Sequence, residues 1–171
     1  WEHAINSGLV SLLAAIAALA AATPIVVLSV RYPGWLGSLT ERLSYVGYAL
    51  PGIVVALALV FFGANFATPL YQTLGMLVVA YVILFLPQAV GVMRSALLQV
   101  NPHVEEAAKS LGLSHVRVWL RVTGPLVRSG LLSGGLLVFL TVMKELPATL
   151  LLHPIGFDTL AMRIWTATAE G

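Results

Sequence analysis

The chain has 171 residues, of which 59% are hydrophobic and only 9% are charged. Soluble domains carry about 25% charged residues, and a water-soluble fold of this length cannot bury so much apolar surface. The composition therefore excludes a soluble enzyme, a disordered segment and a basic nucleic-acid-binding arm. The net charge is +2 and there are no cysteines, which excludes disulfides and thiolate metal sites. We expect an all-α integral membrane protein with several spans.

Uncharged stretches predict four membrane spans, since a spanning helix needs roughly 20 mainly apolar residues. The uncharged run over residues 43–93 is too long for one span, and it divides where turn-forming residues cluster, at 63–69. Pro24 is expected to kink the first span. The four predicted spans are residues 8–30, 44–62, 72–93 and 124–144.

The placement of basic residues predicts the orientation in the membrane. If the loop after the first span lies inside the cell, seven of the nine basic residues lie inside, which is the asymmetry that membrane proteins show. The first span then enters the membrane from the outer face. The inner residues are Arg31, Arg42, Arg94, Lys109, Arg117, Arg121 and Arg128, and the outer ones are Lys144 and Arg163.

The segment after the fourth predicted span cannot cross the membrane. Residues 146–157 are apolar but too few, and Pro147 and Pro154 interrupt them. We expect a re-entrant or interfacial segment on the outer side. The chain begins with Trp1 rather than Met, and no closing span follows. We therefore expect residues 1–171 to be part of one transmembrane domain of a longer polypeptide, lacking its final span.

The longest polar insertion, residues 98–123, joins the third and fourth predicted spans on the inner side. Asn101 followed by Pro102 is a favourable N-cap and first residue of a helix. Gly112 can end that helix in the left-handed conformation, and Ser114 can cap a second short helix. The sequence therefore predicts a helix, a glycine turn and another helix outside the bilayer.

The first of these helices is predicted to be amphipathic. Glu105 and Lys109 have the i, i+4 spacing of an ion pair. A small apolar stripe at helical spacing would let another protein surface come close, or would let the helix lie flat on lipid. The stripe consists of Val104, Ala107, Ala108 and Leu111.

A spaced motif runs through the same insertion. Residues 106–108 (EAA), Gly112 and residues 122–125 (VTGP) have the spacing of Glu-Ala-Ala, three residues, Gly, nine residues, Ile-x-Leu-Pro. This pattern resembles the EAA loop of ABC-importer permeases, with Val and Gly where the pattern has Ile and Leu. The resemblance implies a multi-span helical bundle of the MetI-like type, with a cytoplasmic coupling helix that docks on an ATPase. The docking residues implied are Glu105, Glu106, Ala107, Ala108, Gly112 and Pro125.

Other segments extend the resemblance along the chain. Residues 48–52 (YALPG) are similar to binding-protein-dependent permeases in general. Residues 144–152 (KELPATLLL) and 156–161 (GFDTLA) resemble the permeases of iron(III) importers, with His153 where Arg usually precedes the proline. In that branch one polypeptide often carries two permease halves, and this chain resembles most of the second.

The resemblance also implies cargo and partners. The cargo would be ferric iron, delivered by a periplasmic binding protein across a bacterial inner membrane, with ATP used by separate cytoplasmic ATP-binding cassette subunits. A second permease half would lie on the same polypeptide or in a homodimer. The alternatives are a related importer for thiamine, a polyamine or an oxyanion, and, in another class, a membrane enzyme or a structural subunit.

The sequence offers few residues for chemistry. It contains no Walker A motif and no nucleophile–base pair, so we expect no catalytic residue, no bound cofactor and no ATP hydrolysis by this chain. The carboxylates are scattered, and the histidines lack metal-ligand spacing, so we expect no metal site. Residues at the outer end of the fourth span could line a pathway or gate, or could anchor the chain at the interface. They are Lys144, Glu145, Pro147 and Asp158.

Small residues mark the fourth predicted span. Gly130 and Gly134 form a GxxxG pattern, which lets helix backbones approach closely inside a membrane. The pattern favours packing within the bundle, and the alternative is a seam with a second permease half.

Overall fold

The computed structural model describes residues 1–169, and every regular element in that range is helical. The expected all-α membrane fold is confirmed. Two short 3₁₀ segments and one π-helical turn connect some of the α-helices. The α-helices are α1 (Glu2–Arg31), α2 (Trp35–Ser44), α3 (Gly52–Phe66), α4 (Leu74–Leu98), α5 (Pro102–Ser110), α6 (His115–Val118), α7 (Gly124–Met143), α8 (Pro147–Leu152) and α9 (Leu160–Ala169).

Three long apolar helices pack against one another and form the centre of the bundle. Two of them are α1 and α4, and the third is the continuous stretch from His115 to Met143 that contains α6 and α7. Each is long and apolar enough to cross a membrane. α1 continues through Pro24 and turns one face of small side chains to its neighbours. That face consists of Ala14, Ala18, Ala22 and Val26, all fully buried.

The second predicted span is divided in the structure. A helical segment covering Trp35–Ala49 and the helix α3 meet at a break and are bent by 104°. Pro51 occupies this break as the residue before α3, and a proline there cannot continue the hydrogen-bond ladder of a preceding helix. The two pieces together are a broken span or a re-entrant loop, and with them the number of candidate spans within residues 1–169 rises from three to four.

The short helix expected after Ser114 is not a separate element. It is α6, which passes through a π-helical turn, Trp119–Thr123, directly into α7. The helical stretch that contains the fourth predicted span therefore begins at His115 rather than at residue 124. The side chain of Ser114 makes no capping hydrogen bond.

The glycines of the GxxxG pattern lie at the contact between α7 and α4. A methyl group built on Gly130 would overlap the side chain of Ala96, and one built on Gly134 would lie 3.4 Å from Val92 Cβ. These glycines therefore serve packing within the bundle, the first of the two interpretations of the pattern.

The predicted interfacial segment contains the short helix α8. Ala148, Thr149 and Leu152 are buried, because α8 packs against α3 and α4. The hydroxyl groups of Thr149 and Tyr81 form a hydrogen bond there. This contact ties α8 to the first third of α4.

Candidate functional site

The helix α5 begins and ends as the sequence predicts. The side chain of Asn101 accepts a hydrogen bond from the backbone N–H of His103 at 3.0 Å, and Pro102 is the first helical residue. Gly112 has a φ of +83°. Its N–H donates to the carbonyl of Lys109, and the N–H of Leu113 donates to that of Ala108. This pair of bonds is the Schellman motif, which reverses the chain after the helix.

The two neighbouring glutamates of α5 point in different directions. The Glu106 side chain is 67% exposed and contacts His103 Nδ1 at 3.0 Å. The Glu105 side chain is only 12% exposed, and its carboxylate lies 3.0 Å from Arg31 Nη2. Thr123 also donates to this carboxylate, at 3.0 Å. Glu106 is therefore available to another molecule, whereas Glu105 is engaged inside the bundle.

The ion pair predicted between Glu105 and Lys109 is wrong. None of the ion pairs found in residues 1–169 joins these two side chains. The carboxylate of Glu105 turns to Arg31 instead, because the largely enclosed guanidinium of Arg31 attracts it more strongly than the solvated ammonium of Lys109.

The predicted apolar stripe of α5 is split between two faces. Ala108 is buried against the bundle, whereas Leu111 is 85% exposed. Val104 and Ala107 are also exposed. The outward face of α5 therefore presents Val104, Glu106, Ala107 and Leu111.

The end of the spaced motif lies where α6 passes into α7. Gly124 stands directly after the π-helical turn, and a Cβ built on it would lie 3.0 Å from the carbonyl oxygen of Trp119. A residue larger than glycine would crowd the turn at this point. Pro125 follows and is exposed near the start of α7.

A cavity of about 460 Å³ separates α1 from α5 and from the π-helical turn. Pro24, Val27 and Trp119 form part of its apolar wall, and Arg31 and Glu105 also line it. α5 therefore contacts the bundle along one edge and is separated from α1 by open space elsewhere.

The predicted pathway residues lie at the opposite end of the bundle. Lys144, Pro147 and Asp158 are exposed, and Glu145 is half-buried. The backbone carbonyl of Asp158 accepts a hydrogen bond from the Asn6 side chain at 3.1 Å. This hydrogen bond joins the segment before α9 to the start of α1 through the backbone of Asp158.

Glu145 lies between the beginnings of two helices. Its carboxylate accepts a hydrogen bond from the N–H of Ala148 at 3.3 Å, in the first turn of α8. A Cβ built on Gly52, the first residue of α3, would lie 3.0 Å from the same carboxylate oxygen. Glu145 therefore joins the start of α8 to the start of α3. A cavity of about 280 Å³ lies beside it, with Gln88 on its wall.

Sequence reasoning missed the role of Arg31, which it used only as a charge in the orientation count. The guanidinium reaches Glu105 across 74 residues of sequence, so no local spacing could reveal the pair. Among residues 1–169, no group of three or more histidine, aspartate or glutamate side chains could hold a metal ion.

Comparison with known proteins shows the family. The profile of the binding-protein-dependent transport system inner membrane components matches residues 8–170. The chain belongs to this family. It is 38% identical over 165 residues to the Fe(3+)-transport system permease protein FbpB 2 of Haemophilus influenzae, covering 96% of this chain and 33% of that protein. The chain is thus part of an inner-membrane permease and is similar over nearly its whole length to a permease named for Fe(3+) transport.

Two further relatives are transport permeases by name. One, named a probable ABC transporter permease protein y4oR, from Sinorhizobium fredii, is 29% identical over 153 residues, covering 88% of this chain and 53% of that protein. A probable molybdenum ABC transporter permease protein of Haloferax volcanii is 35% identical over 103 residues, covering 59% of this chain and 37% of that protein. The chain spans between 33% and 53% of the length of these three relatives.

Proposed function

We propose that this chain is part of the transmembrane subunit of an ATP-driven importer that moves ferric iron into the cell. The observation that carries the proposal is α5 itself. It lies at the edge of a bundle of membrane-spanning length, with Glu106 and Leu111 exposed, inside a chain 38% identical to an Fe(3+)-transport permease. The exposed Leu111 would supply an apolar centre for a docking contact, and Glu106 would lie at its polar rim.

In this proposal α5 is the coupling helix and lies in the cytoplasm. Glu106, Ala107 and Gly112 contact the ATPase, and Pro125 holds the start of α7 behind them. Glu105 supports the same helix from the bundle side. ATP binds and is hydrolysed on the partner subunits. Their movement reaches the spans through α5, because packed helices shift as near-rigid bodies.

The opposite end receives the cargo in this proposal. A periplasmic binding protein delivers iron there, and a second permease half completes the pathway. Lys144, Glu145, Pro147 and Asp158 line or gate that entrance. Support comes from the half-buried carboxylate of Glu145, which lies beside a cavity at the break before α3, since an ionisable group enclosed near the end of a span is a candidate pathway residue.

Reversing the charge of Glu106 tests the coupling role. Glu106→Lys in the full-length polypeptide should reduce the amount of ATPase that co-purifies by ~10-fold, because it reverses the exposed charge of the proposed docking face and so removes any charge complementarity with the ATPase. Glu2→Lys makes the same change at an exposed site of the opposite end and should leave co-purification unchanged. Equal ATPase recovery with Glu106→Lys and with the unmodified protein contradicts the proposal.

An oxyanion is the second candidate cargo. It is favoured by the molybdenum permease of Haloferax volcanii, which is 35% identical over 103 residues. Uptake of labelled ferric iron by the assembled importer, with molybdate as competitor, separates the two. Iron uptake that molybdate does not reduce supports the iron assignment, and molybdate uptake without iron uptake overturns it.

A further inference from the structure

A single arginine connects α5 to the ends of two spans. The guanidinium of Arg31 donates to Glu105 Oε1 from Nε at 3.1 Å. Its Nη2 group also donates to the backbone carbonyls of Leu97 at 3.3 Å and Val100 at 3.0 Å. Arg31 is the last residue of α1, and the two carbonyls belong to the end of α4 and the turn after it. The side chain of Arg31 therefore contacts α4, the turn after α4, and α5.

The charges at this junction suit the helix ends on which they lie. The last carbonyls of a helix have no partners within it and carry a partial negative charge. Arg31 supplies a positive charge where α1 and α4 both end. Glu105 supplies a negative charge in the first turn of α5, where the N–H groups are exposed. Both side chains are largely enclosed, at 13% and 12% exposed, so solvent weakens their attraction little.

Thr123 extends the connection to α7. Its hydroxyl donates to the same oxygen of Glu105 that receives the Arg31 bond, at 3.0 Å. Thr123 is fully buried at the end of the π-helical turn that leads into α7. Arg31 and Glu105 together therefore link α1, α4, α5 and the π-helical turn before α7 by polar contacts.

We propose that Arg31 and Glu105 form a clasp that makes the three central spans follow the coupling helix. The proposal rests on the proposed function, because it concerns how movement of α5 reaches the spans. Glu106 holds the partner on one side of α5, and Glu105 holds the bundle on the other side. Arg31 and Glu105 are positioning residues, since in this proposal neither touches ATP or cargo.

The test measures uptake per ATP hydrolysed by the full-length polypeptide, assembled with its ATPase and binding protein in proteoliposomes. Arg31→Gln and Glu105→Gln should each lower this ratio ~10-fold, within the range of ordinary coupling effects, while ATP hydrolysis continues. The double variant should be no worse than either single one, because both remove the same contact. An unchanged ratio in the single variants, or a double effect equal to the product of the two, overturns the proposal.

The pair Arg94–Glu41 supplies a matched control. It is an ion pair of 2.9 Å that joins α4 to α2 rather than to α5. Arg94→Gln should leave uptake per ATP within about twofold of the unmodified protein, the range of a surface pair. An equal loss in Arg94→Gln and Arg31→Gln overturns the proposal.

Thr123→Val keeps the side-chain shape and removes one hydrogen bond to Glu105, so it should lower the uptake per ATP even if Arg31→Gln assembles poorly.

A second readout does not depend on transport. A spin label on Leu111→Cys reports the mobility of the α5 end, where Leu111 is 85% exposed. The label should become more mobile in Arg31→Gln and should not change in Arg94→Gln. Unchanged mobility in Arg31→Gln overturns the clasp whatever the partner is. Failure of the Glu106→Lys co-purification test, in contrast, overturns the proposed function and leaves the mobility result standing.

Discussion

At the scale of single residues, the contact between α4 and α7 depends on a missing side chain. Gly130 faces Ala96 on α4 so closely that no Cβ fits between them. Inside a membrane, helices gain little from the hydrophobic effect and associate through close packing. The contact between α4 and α7 therefore requires glycine at this position.

Gly130→Ala should lower the free energy of unfolding by about 1–3 kcal/mol, because the added methyl group forces α4 and α7 apart. The measurement is thermal unfolding of the detergent-solubilised full-length protein. Gly8→Ala is the control, since Gly8 lies within α1 and a Cβ there meets no atom within 4 Å. Its stability should stay the same or rise slightly. A Gly130→Ala protein as stable as Gly8→Ala contradicts the packing argument.

At the scale of elements, α5 is defined by its two ends. Asn101 caps the beginning, and the positive φ of Gly112 allows the Schellman bonds that close the helix. Between these ends, the helix turns Ala108 to the bundle and Leu111 to the outside. The ends set where the helix lies along the chain, and the Glu105 contact sets which face it presents.

Gly112→Ala should cost about 1 kcal/mol of unfolding free energy, because a Cβ is unfavourable in the left-handed conformation. No atom lies within 4 Å of that Cβ, so the cost comes from the backbone alone. Gly156 also has a positive φ, +78°, and no atom within 4 Å of an added Cβ, but it follows α8. Gly156→Ala should cost about as much, by the same argument.

The two glycine variants should differ in binding to the ATPase. Gly112→Ala should reduce ATPase co-purification, because the altered turn moves the end of α5, whereas Gly156→Ala should not. Equal co-purification in the two variants would show that the turn after α5 does not take part in docking.

At the scale of the whole molecule, the two ends of the bundle differ in character. The end that carries α5 holds the cluster of Arg31, Glu105 and the exposed basic residues of α6 and the π-helical turn. The other end holds α8, α9 and Glu145 beside the break before α3. Leu132, Leu136 and Leu140 lie one turn apart on α7 and are exposed between these ends. A face of this kind suits lipid or a second permease half.

The predicted orientation can be measured by labelling single cysteines, because this chain has none of its own. Leu111→Cys should react only with a reagent that has entered the cytoplasm. Ile155→Cys, 86% exposed near the other end, should react with an impermeant reagent added outside intact cells. Any cysteines elsewhere in the full-length polypeptide are first replaced by serine. Reaction of Leu111→Cys from outside would reverse the proposed topology and remove α5 from reach of an ATPase.

Much of the architecture follows from composition and local pattern. The fraction of apolar residues determines that the chain is a helical membrane protein, because only helices satisfy their own backbone groups in lipid within a single segment. The cap at Asn101 and the turn at Gly112 follow from properties of the residues themselves. The motif over residues 106–125 identified the family, since its residue types and their spacing can be read from the sequence without knowledge of any tertiary contact.

Only the tertiary structure decided which groups meet. The bend of 104° before α3, the merging of α6 with α7 and the pairing of Arg31 with Glu105 depend on neighbours distant in sequence. Local spacing favoured Lys109 as the partner of Glu105, but the enclosed guanidinium at the ends of two helices competes better than a solvated ammonium. The sequence by itself thus determined the class, the family and the ends of α5, because these depend on composition and short-range geometry. The tertiary structure decided which faces of α5 are buried and which are exposed. This depends on the contact between Arg31 and Glu105, which only folding brings together.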